Sequence, residues 1–168
     1  MCGIAGILLH TPNTIAPVHL KKMTDAIAHR GPDGEGQWSN AGSTVHLGHR
    51  RLAVIDLSNH AAQPMSFASR YQIVYNGEIY NYIELRDELI RYGYKFYTKT
   101  DTEVIINSFA HWGINCLNKF NGMWAFALWD SNTNSLYLCR DRFGIKPLYY
   151  THTKDFFAFS SEIKPIVY

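Results

Sequence analysis

Apolar residues occur along the chain in short blocks, separated by glycine, proline, asparagine and charged residues. Residues 2–9 form a continuous apolar run of the kind a buried strand carries. Residues 11–17 read as a loop. Over residues 18–29, Leu20, Met23, Ile27 and Ala28 fall near one helical face. Residues 30–36 read as a glycine-rich loop, and residues 44–57 as an extended segment with β-branched residues near both ends. Residues 71–80 read as two short strands about Asn76-Gly77, and residues 83–92 and 102–111 as helices. Strands then follow at 123–130, 135–140, 148–151 and 156–160, with turn residues between them, and residues 162–167 begin a final helix. Strands cluster at the beginning, middle and end, with helices between, and do not alternate with helices as long apolar β-α-β units. This pattern predicts an α+β fold with largely antiparallel sheets rather than a doubly wound one.

Composition narrows the picture. A chain of 168 residues without an internal repeat, low-complexity tract or linker suits one domain. A net charge of +2 points to neither a nucleic-acid nor an anionic membrane partner. No apolar run reaches the roughly 18 residues of a membrane span. The apolar N-terminus has no basic start and no A-x-A site, so it does not read as a signal peptide. The three cysteines, Cys2, Cys116 and Cys139, form no CxxC pair, and N-x-[ST] is absent. Together these predict a reducing compartment, the cytoplasm. Residues 30–36 match neither G-x-G-x-x-G nor a Walker A loop. No HExxH or Cys/His cluster has metal spacing, so no metal site is expected.

Several residues admit both a structural and a chemical reading. Cys2 is either a small buried hydrophobe or, once Met1 is removed, a nucleophile whose own α-amine serves as its base. Asn76-Gly77 reads as a type I′ hairpin turn. The same pair offers a side-chain amide and a backbone N–H to an oxyanion, with glycine allowing close approach to a substrate. Thr100-x-x-Glu103 is a capping box that starts a helix, which leaves the Asp101 carboxylate free to hold an ammonium group. Arg50 and Arg51 would point to opposite faces of a strand, and so would His46 and His49. An inward arginine requires an anion, either a structural partner or a substrate carboxylate. Cys116 and Cys139 read as core residues.

Six motifs occur in order: Met1-Cys2-Gly3-Ile4-Ala5-Gly6; His29-Arg30-Gly31-Pro32-Asp33; His49-Arg50-Arg51-Leu52-Ala53-Val54-Ile55-Asp56-Leu57; Tyr75-Asn76-Gly77-Glu78-Ile79-Tyr80-Asn81; Thr100-Asp101-Thr102-Glu103; and Arg140-Asp141-Arg142-Phe143-Gly144-Ile145-Lys146-Pro147-Leu148-Tyr149. Across essentially the whole chain, 1–168, the set resembles the class II glutamine amidotransferase (glutaminase) domain of glutamine-dependent asparagine synthetases. That resemblance implies an N-terminal-nucleophile hydrolase fold, an αββα four-layer sandwich with two stacked, mainly antiparallel sheets. It implies that Cys2 attacks the glutamine side-chain amide to form a thioester, with Asn76 and Gly77 as the oxyanion hole. Arg51, which directly precedes the leucine, would bind the substrate carboxylate and Asp101 its ammonium, with Val54, Ile55 and Glu78 lining the pocket. The expected partners are glutamine as substrate and a synthetase domain or subunit that receives ammonia. No cofactor is expected in this domain. ATP and Mg belong to the synthetase domain, whose Ser-Gly-Gly-type loop is absent from this sequence. The competing expectations are the same chemistry serving a sugar or phosphoribosyl acceptor, and a non-catalytic glutamine-binding or scaffold domain if Met1 is retained.

Overall fold

In the computed structural model, which describes residues 1–12 and 16–167, strands build two antiparallel sheets. Strands β1 (Gly3–Leu9), β2 (Gly34–Ser39), β3 (Val45–Arg51), β8 (Tyr149–His152) and β9 (Phe156–Ser160) form one sheet in the order β2-β3-β1-β9-β8. Strands β4 (Met65–Phe67), β5 (Tyr71–Ile79), β6 (Gly122–Asp130) and β7 (Ser135–Arg140) form the other, in that order. Helix α1 (Ala16–Ala26) and the short α4 (Lys164–Val167) cover the first sheet, and α2 (Tyr82–Arg91) and α3 (Asp101–Trp112) cover the second.

The layers follow from the period of two along each strand. Ile4, Val45, Leu47 and Phe159 meet Val74, Ala125, Ala127 and Trp129 between the sheets. Alternate residues face outward. Ala5 and Ile7 pack on Leu20, Met23 and Ile27 of the α1 region. Tyr75, Ile79, Phe126 and Leu128 pack on Leu85, Leu89, Val104, Ile105 and Phe109 of α2 and α3. The α+β class and the two stacked antiparallel sheets are as expected from the sequence.

Several local expectations change. Asn76-Gly77 is not a turn, because β5 runs unbroken and pairs residue by residue with β6 from Tyr71↔Asp130 to Ile79↔Gly122. A Cβ on Gly77 would lie 2.3 Å from Met123 O. The glycine therefore makes room for the neighbouring strand. Two successive residues with positive φ, Ala68 (53°) and Ser69 (52°), instead form the tight turn between β4 and β5. Residues 34–36, expected in a loop, begin β2, an edge strand whose residues alternate between half-buried and exposed and carry little apolar signal. The extended segment expected over residues 44–57 ends at Arg51. α1 ends at Ala26, before a short 3₁₀ turn (Ala28–Arg30). The loop expected over residues 11–17 falls partly on residues 13–15, outside the described residues.

Candidate active site

Cys2 directly precedes β1, the central strand of its sheet. It shares a face with Ile4, so its thiol looks toward the second sheet, into a cleft of about 220 Å³. Arg51 at the end of β3, Asn76 and Glu78 of β5, and Asp101 at the start of α3 line the same cleft. The Cys2 thiol lies 3.6 Å from Leu52 O and 3.4 Å from Leu52 N–H. Burial raises its pKa above the ordinary thiol value. The Leu52 backbone, the N-terminal ammonium and the Arg51 guanidinium pull it back down. Arg30 fixes the backbone here, its Nε donating to Cys2 O at 3.0 Å and its Nη1 to Glu162 Oε1 at 3.1 Å.

The ladder of β5 leaves one donor free. Tyr80 N–H donates to Asn121 O at 2.7 Å, so even-numbered residues here hydrogen-bond toward β6 and odd-numbered N–H groups point the other way. On that side β4 pairs only with residues 71–73. Beyond it, Tyr75 N–H donates to Gln63 Oε1 at 2.6 Å and Ile79 N–H to Asp101 Oδ2 at 3.0 Å. Gly77 N–H lies between these two and meets no acceptor among the described residues. The adjacent Asn76 side chain is buried, and its Nδ2 also lacks a partner. Two unused donors therefore stand on consecutive residues in the wall of the cleft.

Asp101 Oδ2 also accepts a hydrogen bond from the Tyr75 hydroxyl at 2.7 Å. Burial raises the Asp101 pKa above the usual carboxylate range, against the hydrogen bonds that hold it down. Thr100 caps α3 as expected, its Oγ1 accepting from Glu103 N–H at 3.2 Å. The return half of the capping box is redirected. Glu103 accepts from Tyr97 N–H at 2.8 Å and Thr98 N–H at 2.7 Å, and the N-cap is Thr100, not Asp101.

Strand alternation separates the paired residues as expected. Arg50 turns outward to α1, donating to Thr24 O at 3.1 Å and pairing with Asp25 and Glu35. Arg51 turns inward and donates to Ser58 O at 3.0 Å and to Asp56 O. It forms no ion pair among the described residues, so its charge is unmatched in the cleft. His46 hydrogen-bonds Ser39 and Ser43, whereas His49 donates across the sheets to Tyr75 O at 3.2 Å. Burial lowers the His49 pKa to about 4 and keeps the ring neutral. Val54 and Ile55 lie on the loop after β3 and line the cleft, Val54 with 72% of its surface exposed.

All eight candidate site residues thus line one cleft. The structure adds residues with no assigned role: Gln63, Tyr75 and, most notably, the buried Lys146. Lys146 and Asp141 both lie in the last sequence motif, but nothing in apolar periodicity marks a lysine as inward-facing. A larger groove of about 460 Å³, bounded by Ile7, Leu9, Met23, Phe156 and Pro165 with His19, Lys22 and Lys164, has no thiol, hydroxyl or carboxylate side chain among the described residues that line it.

A family model described as the glutamine amidotransferase domain matches residues 1–168. The chain is 44% identical over 171 residues to glutamine-hydrolyzing asparagine synthetase 1 of Bacillus subtilis (strain 168), a match covering 99% of this chain and 27% of that protein. It is 40% identical over 171 residues to asparagine synthetase 3 of the same organism, with the same coverage. The chain thus spans about a quarter of the length of these curated relatives. The solved structure of glutamine phosphoribosylpyrophosphate amidotransferase from B. subtilis, complexed with ADP and GMP, superposes with a TM-score of 0.84 at 21% identity, covering 99% of this chain and 43% of that one. The likeness is one of fold, two stacked antiparallel sheets between helical layers.

Proposed function

The chain belongs to the glutamine amidotransferase domain family, and from that premise we propose that it hydrolyses the side-chain amide of glutamine at the Cys2 cleft. The observation that carries this reading is the meeting of a thiol with two unused donors, Asn76 Nδ2 and Gly77 N–H, in one cleft. That cleft also contains an unmatched cation, Arg51, and a buried carboxylate, Asp101. Its size, about 220 Å³, is below the roughly 300–1,000 Å³ of pockets for drug-sized ligands and suits a single amino acid.

Glutamine is a zwitterion at one end and a neutral amide at the other. Asp101 holds its ammonium and Arg51 its carboxylate, while Glu78 and the main chain of Val54 and Ile55 line the walls. This leaves the amide beside the thiol. Removal of Met1 frees an α-amine with an ordinary pKa of about 8, which accepts the thiol proton as sulfur attacks the amide carbon. Asn76 and Gly77 receive the charge that develops on the amide oxygen. The amine passes its proton to the leaving nitrogen, the C–N bond breaks, and ammonia departs from a glutamyl thioester. Water then adds to the thioester and gives a proton to the amine. The C–S bond breaks, the proton returns to sulfur, and glutamate leaves.

We assign residues 1–168 as a whole to this glutaminase domain. By analogy with the asparagine synthetases it resembles, the ammonia passes to a synthetase domain or subunit that activates its acceptor with ATP and Mg. No helix of the described residues is long and apolar enough to cross a membrane. The three free cysteines favour the cytoplasm. The test is glutamine turnover by Cys2→Ala: the account expects complete loss in a folded protein, and residual wild-type turnover would refute it.

A further inference from the structure

Lys146 is a buried lysine without a counter-ion among the described residues. Only 4% of its surface is exposed, it lines the cleft with Cys2, and it forms no ion pair among the described residues. Its ammonium instead lies 2.8 Å from Met1 Sδ. Lysines are rarely buried this far unless paired, so the position has to be enforced. The segment after β7 enforces it. Asp141 accepts four backbone hydrogen bonds, from Trp124 N–H at 3.2 Å, Phe143 N–H at 3.1 Å, Ile145 N–H at 2.9 Å and Lys146 N–H at 3.0 Å. Arg140 clasps the same turn from outside, through Lys146 O at 2.7 Å and Gly144 O at 2.6 Å. Gly144, with φ of 63°, supplies the left-handed residue that the turn requires.

We propose that Lys146 is a positioning residue of the hydrolytic site, a buried cation that keeps the amino group released by Met1 removal in its proton-accepting form. The inference rests on the reading above, in which that amine is the base. An ammonium beside a second ammonium is destabilised, so a neighbouring cation favours the neutral amine. Met1 is 55% exposed and lines the cleft, and its loss frees the Cys2 amine in the cleft that Lys146 also lines. Other charges face the same space. Arg30, which donates to the Cys2 carbonyl, and Arg51, which lines the cleft, carry the same charge as Lys146. Glu78 and Asp101 in the cleft, Asp141 under the Lys146 turn and Glu162 on Arg30 carry the opposite charge; burial lowers the Lys146 pKa, and Glu78, Asp141 and Cys2 pull it back up. Of these cations Lys146 alone has neither a carboxylate nor a carbonyl partner among the described residues: Arg30 is held by Cys2 O and Glu162, and Arg51 by Ser58 O and Asp56 O.

The experiment is the pH profile of kcat/KM for glutamine hydrolysis by the Met1-processed chain, in wild type, Lys146→Met and Lys146→Arg. In Lys146→Met the acid limb should move up by about one pH unit, the size of effect a single nearby charge exerts on a titrating group. Activity should fall about tenfold below the limb and little on the alkaline plateau, and Lys146→Arg should return the limb toward its original position. A merely structural lysine would lower the whole profile or the melting temperature and leave the limb in place, and that outcome overturns the proposal. If Lys146→Met does not fold, ¹⁵N-cysteine labelling of the wild type decides the matter. The Cys2 amine should titrate below its ordinary value of about 8, and titration at or above 8 overturns the proposal. Wild-type turnover in Cys2→Ala would instead bring down the underlying reading, whereas Cys2-dependent turnover with an unmoved limb brings down only the role of Lys146.

Discussion

Replacing Asp101 with asparagine separates substrate binding from chemistry. The carboxylate is 95% buried, with a relative exposure of 5%, and lies in the cleft with Cys2. Its interaction with a bound ammonium is therefore poorly screened. A hydrogen bond to a charged group contributes about 1.5–3 kcal/mol, which corresponds to a 10- to 150-fold rise in KM. The Asn76 and Gly77 donors are untouched, so kcat should fall by less than about threefold. Part of any change comes from disturbing the Tyr75 hydroxyl, which donates to Asp101 Oδ2 at 2.7 Å. A glutamine analogue lacking the α-amino group removes that ambiguity. The wild type should use the analogue as poorly as Asp101→Asn uses glutamine, and the variant should lose little further on the analogue. This is the signature of two changes that remove the same contact. Turnover is read from glutamate release over a range of substrate concentrations, with a melting curve to show that the variant folds. A KM within about twofold of wild type in a folded variant, or additive losses with the analogue, would refute the assignment of Asp101 to the ammonium.

Two further outcomes follow from the same geometry. Asn76→Ala removes one oxyanion donor and should lower kcat by about 10²–10³ with little change in KM, measured by steady-state kinetics; an unchanged kcat excludes the role. His49 titrates at about 4 in the fold against 6.5 unfolded, so the unfolded chain binds the extra proton between those values and stability falls as pH drops from 6.5 toward 4. The full shift corresponds to about 3 kcal/mol. In urea titrations at pH 7 and pH 4, wild type should lose that much more than His49→Gln, and equal losses would show that the ring is not held neutral.

What could be read from the sequence was what depends on strand alternation alone. The outward turn of Arg50 and the inward turn of Arg51 need only a strand, and so does the division of His46 from His49. The Asn-Gly pair misled because its preference for a hairpin turn is local, whereas nine consecutive pairings with β6 are not. The geometry that frees Gly77 N–H is likewise non-local. It depends on β4 ending opposite Ile73 and on Gln63 and Asp101 taking the neighbouring N–H groups. β2 escaped notice because Glu35 and Ser39 on an edge strand carry no apolar alternation. The capping box was half right, since Thr100 caps α3 but Glu103 braces residues 97 and 98 instead. Lys146 was invisible because a buried lysine with no counter-ion among the described residues contradicts the partition rule on which sequence reading relies.

The central claim is that Cys2, with its amine exposed, is the nucleophile. Intact mass of the purified chain before and after a diazo-ketone analogue of glutamine tests it most directly. The account predicts loss of Met1 and then a single adduct that maps to Cys2 and is blocked by excess glutamine. A processed chain that takes no adduct at Cys2, or takes it elsewhere, would contradict it.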